Sequence, residues 1–344
     1  MKLMKTEEAV GQVLCHDITQ IIPGVTKDAV FRKGHIITKE DIPVLLSVGK
    51  EHIYIGEKDE HMLHENEAAQ ILYEMCRNEY MHPSAVKEGK IELIADCDGL
   101  FKVDREKLRK VNSLGEMMIA TRHGNTFVKK GDKLAGTRII PLVIEKEKME
   151  RAKEICNDGS ILEIKPLQPK KAAILTTGSE VYHGRIQDKF TPVLVEKLKE
   201  YGSEVIFHEI YDDDHEAITK GCLSAIEQGA EIVLCTGGMS VDPDDKTPLA
   251  IKNTGARIVS YGAPVLPGAM FLVSYYEYED KTIPIVGLPG CVMYAKRTIF
   301  DLALPRLLAN DFITAEELAL LGEGGLCLNC PVCTYPNCGF GKGW

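Results

Sequence analysis

The chain has few aromatic residues and no surplus of positive charge. Phe, Trp and Tyr make up 6% of its 344 residues, with a single Trp. Lys and Arg number 41 against 51 Asp and Glu, a formal net charge of −10. Phosphate-backbone binding calls for a basic face, so nucleic acid is not an expected partner. Long apolar runs are also missing. None approaches the ~20 residues of a membrane helix, and the opening MKLMKTEEAVGQVLCHD has neither the apolar stretch nor the small-residue cleavage site of a signal peptide. No membrane partner is expected, and the expected location is cytoplasmic. Paired cysteines are scarce through most of the chain. Seven of the 11 cysteines stand alone, several in apolar runs such as IVLCTG, as buried thiols of a reducing compartment do.

What is present is 44% apolar content spread over a length that suggests more than one domain. Residues 1–60 read as a β-rich N-terminal domain in which FRKGHIITKEDIPVLLSVGKEHIYI is strand, turn, short helix and strand. Residues 61–165 read as an α+β domain with helices over about 63–81, after Asp104 (a candidate N-cap, with Leu108, Val111, Leu114 and Met118 at helical spacing), and over about 145–157. PLQPKK is the candidate linker. From Ala172 onward, strands (AAILT, EVIFHEI, EIVLCT, ARIVSY) alternate with helices, and MFLVSYYEYEDKTIPIVG reads as a hairpin turning at Glu279–Asp280. The expected fold of residues 170–310 is a three-layer α/β arrangement, a mostly parallel sheet with helices on both faces, preceded by the smaller β-rich α+β domains. Ligands of such sheets bind beyond the C-terminal strand ends.

Three of those ends carry glycine turns: TTGSEV (176–181), TGGMS (236–240) and GLPGC (287–291). Glycine admits a ligand close to the backbone, and the N–H groups that follow suit an anion. Carboxylates gather beside them: Glu180, then Asp212, Asp213 and Asp214 after EVIFHEIY, and Asp242, Asp244 and Asp245. Crowded oxygen donors beside phosphate-binding turns point to Mg²⁺ bridging a phosphate group. Helix capping is the alternative for these groups, most of all for Asp214 ahead of HEAITKG.

TTGSE, GRIQD, IYDDD, TGGMSVDPDDKTP, VLPGAM and GLPGC, in this order over about residues 170–310, resemble the molybdopterin-binding domain of molybdenum-cofactor biosynthesis proteins. EEAVGQVLCHDIT and the leading β-rich domains are similar to the larger member, molybdopterin molybdenumtransferase. The resemblance implies Mg-dependent insertion of molybdate, or tungstate, into adenylylated molybdopterin with release of AMP, by a homodimer. It implies catalytic roles for Glu180, Asp188 and Asp245, with Glu180 and Asp245 on Mg. It implies substrate contacts from Thr177, Gly178, Ser179, Asp213, Asp214, Gly237, Gly238, Ser240, Pro267, Gly268, Leu288, Pro289 and Gly290. PDDKTP also resembles the smaller relative, so Mg·ATP-dependent molybdopterin adenylylation stays open, as does a non-catalytic carrier or sensor of the pterin.

The last segment, 322–344, is Cys-rich and lies outside that resemblance. Cys327, Cys330, Cys333 and Cys338 follow C-x2-C-x2-C-x4-C, a spacing that can enclose Zn²⁺ or an iron–sulfur cluster. Among the other candidates, His61 and His64 read as a solvated helix face. His183, Arg185, Lys189 and Lys246 lie near enough in sequence to reach an anion.

Overall fold

The structure, a computed structural model, describes residues 2–22, 26–55, 60–240 and 242–343. The chain forms two compact units. The first holds most of residues 1–163. Near its N-terminus Ala9, Leu14, Ile18, Ile37, Leu45, Ile53 and Ile55 form a small core. A four-stranded antiparallel sheet follows, in the order Met81–Pro83, Lys90–Ala95, Lys133–Ile139, Met117–Thr121. The helix Glu65–Cys76 begins where the His64 ring accepts the Asn66 N–H at 3.2 Å, so His64 is a cap rather than part of a solvated helical face. Asp104 caps the next helix as expected, accepting the Lys107 N–H at 2.9 Å. That helix stops at Asn112. Gly115 and Glu116 both take positive φ (+73° and +61°), and Met118 lies in a strand instead.

The second unit takes residues 97–102, 123–130 and 164–344. Its main sheet uses β1 (Lys171–Thr177), β2 (Glu204–Tyr211), β3 (Ile232–Thr236), β4 (Arg257–Tyr261), β5 (Leu272–Tyr278) and β6 (Lys281–Leu288). The spatial order is β2-β1-β3-β6-β5-β4. The first four strands in this order run parallel; β5 and β4 join antiparallel at the far edge. The hairpin between β5 and β6 turns at Glu279–Asp280, with Glu279 at φ +54°.

The inner parallel strands β1, β3 and β6 are apolar because both of their faces are covered, whereas the edge strand β2 is largely exposed. On one face Ile174, Leu234, Val286 and Leu288 pack with Leu194 and Leu198 of α1 (Phe190–Lys199) and with Phe300, Leu304 and Leu307 of α4 (Ile299–Leu308). On the other, Leu175, Val233, Cys235 and Ile285 meet Ile218, Cys222 and Ile226 of α2 (His215–Glu227) and Ala250 and Ile251 of α3 (Thr247–Asn253). Successive residues of β1 therefore feed opposite cores, as the twofold period of a strand requires.

Candidate functional site

Register sets the site. Thr176 of β1 stands opposite Thr236 of β3, and Thr236 opposite Leu288 of β6. The three glycine turns that leave these strands consequently lie side by side along one edge of the sheet.

The first two turns are built into each other. Gly237 (φ +83°) lies so close to β1 that a Cβ would sit 2.1 Å from the Thr177 carbonyl oxygen. Only glycine permits that approach. Gly238 (φ +52°) faces the Thr247 and Thr177 hydroxyls at 2.9 and 3.2 Å from an added Cβ. Thr247, at the start of α3 and wholly buried, hydrogen-bonds the Gly237 carbonyl (2.9 Å) and the Thr177 hydroxyl (2.9 Å), and its N–H donates to the Gly238 carbonyl (3.2 Å). Sequence reading passed over Thr247. Its place in the threonine-proline pair that opens a helix was the available signal. Gly290, in the third turn, has no heavy atom within 4 Å of an added Cβ, so its face is open.

Around the first turn, the Ser179 N–H donates to Asp213 at 2.9 Å, which ties that donor to the protein. Glu180 is exposed and folds back over Gly178: an added Cβ there would lie 3.2 Å from its carboxylate oxygens. Burial, together with the charges of Glu180, Asp212 and Asp244, pushes the Asp213 carboxyl above its ordinary range, against the opposing hydrogen bond from Ser179. Asp212, partly exposed, is instead held low by the Asp213 N–H and the Ser179 hydroxyl, with His183 at 3.4 Å.

The group that reaches Asp213 from the third acidic stretch is thus Asp244. Asp245 accepts the Asp242 N–H at 3.2 Å, and its charge is felt by Tyr261, whose hydroxyl donates to the Met239 carbonyl at 2.8 Å. Lys246 turns to the Pro243 carbonyl. Ser240 is exposed.

Asp188 anchors a second polar group. Its carboxylate accepts the Phe190 and Thr191 N–H groups (2.8 and 3.1 Å) and the Thr191 and Thr176 hydroxyls (2.5 and 3.1 Å). Burial alone would raise this carboxyl, but those four donors outweigh it and hold the group below its usual range. His208 of β2 joins the network, 2.9 Å from the Thr191 hydroxyl and 3.3 Å from Asp188. It was missed in the sequence because nothing in EVIFHEI marks which strand neighbour it faces. The Thr236 hydroxyl, fully buried on the same edge, has no hydrogen-bond partner among the described residues.

Three expected substrate contacts receive another role. Asp214 caps α2, accepting the Glu216 and Ala217 N–H groups at 2.9 and 3.4 Å. The Leu288 side chain is wholly buried in the core. Gly268 (φ +134°) is glycine because a Cβ would lie 2.4 Å from an Ile299 methyl, so packing on α4 accounts for it. Pro289 is buried and Pro267 half-buried. Among the described residues, no group of three or more His, Cys, Asp or Glu side chains has converged in a geometry that could hold a metal ion.

The glycine edge coincides with a family assignment. Residues 173–309 match the probable molybdopterin binding domain. Residues 3–57 match a second family, described as a domain of unknown function. Among curated proteins, the chain is 27% identical over 135 residues to molybdopterin adenylyltransferase of Pyrococcus furiosus, covering 39% of this chain and 76% of that protein. It is 26% identical over 196 residues to molybdopterin molybdenumtransferase of Nostoc sp., covering 55% of this chain and 44% of that protein. The match thus spans less than half the length of the second relative. Among solved structures, the tungsten cofactor synthesizing protein MoaB from Pyrococcus furiosus aligns at 21% identity with a TM-score of 0.32, covering 36% of this chain and 84% of that one. The matched domain holds all three glycine turns and both polar networks. No helix of the described residues is long and apolar enough to cross a membrane.

Proposed function

We propose that the chain acts in assembly of a molybdenum or tungsten cofactor, inserting molybdate (or tungstate) into adenylylated molybdopterin with release of AMP. The observation that carries this reading is the alignment of three glycine turns at neighbouring strand ends, with Asp213 and the charges of Glu180 and Asp244 beside them. Gly237 and Gly238 shape the middle of that edge and Gly290 leaves its end open for the ligand. Asp188, kept ionised by its four donors, is placed to accept a proton or orient a polar group of the substrate. Its neighbours Thr191 and His208 fix its orientation.

Carboxylate oxygens are the hard donors that Mg²⁺ takes, and a raised carboxyl among like charges is the setting a divalent cation relieves. We assign Mg²⁺ to these carboxylates on their chemistry; among the described residues they are not drawn together into a metal-holding geometry. Glu180, Asp213 and Asp244 would hold it, and Asp245 would brace the turn that carries Asp244. When bound, the ion supplies charge neutralisation at the substrate's phosphates. We extend the proposal to a homodimer.

A second reading, Mg·ATP-dependent adenylylation of molybdopterin, is favoured by the 76% coverage of the adenylyltransferase relative and by the proline-aspartate-threonine-proline pattern ending at Pro248. Turnover of the Glu180→Gln variant tests the shared site. A loss of at least about 10-fold in Mg-dependent AMP release or adenylylation is expected. Unchanged turnover would remove Glu180, and the cation site with it.

A further inference from the structure

The described residues 325–343 form no helix, and their only strand-like pairing is the bridge of Leu326 with Leu266. Several contacts fasten the segment. The Leu266 N–H donates to the Gly325 carbonyl (2.9 Å), and the Cys327 N–H to the Leu266 carbonyl (2.8 Å). The Tyr335 hydroxyl donates to the Asp301 carbonyl at 2.9 Å, with the Arg297 guanidinium 5.1 Å from its ring centre. Lys296 donates to the Pro331 carbonyl at 3.1 Å. Phe340 is buried, whereas Leu326, Leu328 and Val332 are 62%, 78% and 77% exposed. Phe340 lies in the core with Cys327, Tyr335 and Cys338 packed against it, but residues 328–334 are all exposed, so little apolar burial offsets the entropy of ordering that loop. Short segments of this kind are commonly held by a metal or by disulfides, and the four cysteines here are free thiols.

All four line one cavity of about 250 Å³, together with Pro267, Lys296 and Arg297. That space is many times the ~10–15 Å³ that admits one water; the four thiols line its wall without being drawn together into a ligand geometry. The C-x2-C-x2-C run puts three donors on a single loop, with Cys338 as the fourth.

We propose that Cys327, Cys330, Cys333 and Cys338 bind one thiolate-ligated metal centre, an iron–sulfur cluster or zinc, in the cavity they share with Lys296 and Arg297. Each thiol exchanges its proton for a sulfur–metal bond, and the protons pass to solvent. The same four donors serve either metal. Through the Leu266 and Lys296 contacts the loaded centre also fixes residues 266–268 and 295–297. That these segments border a pterin site rests on the function proposed above; the metal site does not.

The test uses the full chain, purified anaerobically from iron-supplemented cells, with iron, zinc and acid-labile sulfide measured per chain. Either about four irons with matching sulfide and a visible absorption band, or about one colourless zinc, is expected. X-ray absorption should show sulfur ligands at about 2.3 Å. The Cys330→Ser/Cys333→Ser variant, altered only at exposed positions, should lose the metal while keeping its circular dichroism. Cys156→Ser, a thiol of the first unit, should keep the metal. Wild type without stoichiometric iron or zinc, a sulfur-free first shell, or a double variant with its full metal would each overturn the proposal. Hydrogen exchange at 266–268 and 295–297 should quicken in the double variant. Unchanged exchange would reject the coupling and leave the metal count to judge the site. Because metal content is read without pterin, its failure is distinct from failure of the proposed function.

Discussion

Paired glycine substitutions separate the folding role of the glycine edge from its ligand role. In Gly237→Ala the new methyl would sit 2.1 Å from the Thr177 carbonyl oxygen and 3.0 Å from the Thr177 hydroxyl. The first of these is strand backbone, so no rotamer change relieves it, and β1 and β3 must part at their ends. The φ of +83° adds a left-handed penalty of about 1–2 kcal/mol. Overpacking adds about 1–3 kcal/mol, and together the loss is roughly 2–5 kcal/mol. Gly290→Ala meets no heavy atom within 4 Å, so its stability should stay within about 0.5 kcal/mol of wild type. Its methyl nevertheless projects from the open end of the edge, and pterin affinity should fall about 10-fold, or ~1.4 kcal/mol. Urea unfolding at constant m reads the first effect and equilibrium titration with molybdopterin the second. A Gly237→Ala protein as stable as wild type would refute the close-approach argument. A Gly290→Ala protein that binds pterin with wild-type affinity would refute the placement of the ligand.

Asp214→Ala removes the two capping bonds of α2 and should cost about 1 kcal/mol in thermal or urea unfolding, with pterin affinity unchanged. Asp188→Asn should lower turnover about 10²-fold, and His208→Ala, which loses the contacts to Thr191 and Asp188, roughly 10-fold; AMP release measures both. Asp311 supplies an acid-side prediction. Burial would raise its carboxyl, but Arg306, Lys102 and Lys165 bring it down to about 2. Its stabilisation is therefore complete above the unfolded-state value near ~4 and is lost as pH falls through about 2. That amounts to roughly 2 kcal/mol, and unfolding measured from pH 5 downward should show a slope that Asp311→Asn removes.

The inner strands of the second unit were legible because both of their faces are buried, and the edge strands because turns bound them. AAILT, EIVLCT and ARIVSY are short, largely apolar runs, EVIFHEI is a mixed edge strand, all are bounded by glycine or acidic turns, and the hairpin turn at Glu279–Asp280 is polar. The capping role of Asp104 was legible too, since a cap is a local interaction. Less legible was the membership of residues 97–102 and 123–130 in the second unit. The strand Gly99–Val103 pairs with Thr126–Val128 and with Leu162–Pro166, and nothing local encodes such distant partners. At the site, the turns could be read from their glycines. The partners of each side chain could not: His208 on Asp188, Thr247 on Thr177, and Asp244 rather than Asp245 near Asp213 all depend on strand register. Gly268 and Leu288 show the reverse case, in which a residue fits a motif while core packing determines its identity.

The most direct test of the account is AMP release from adenylylated molybdopterin by the purified full chain in Mg²⁺ buffer, with and without molybdate. The account predicts AMP that depends on both molybdate and Mg²⁺ and is lost in Glu180→Gln. Tight pterin binding with no molybdate-dependent AMP would contradict the insertion step, and adenylylation from ATP by the same protein would then establish the second reading in its place.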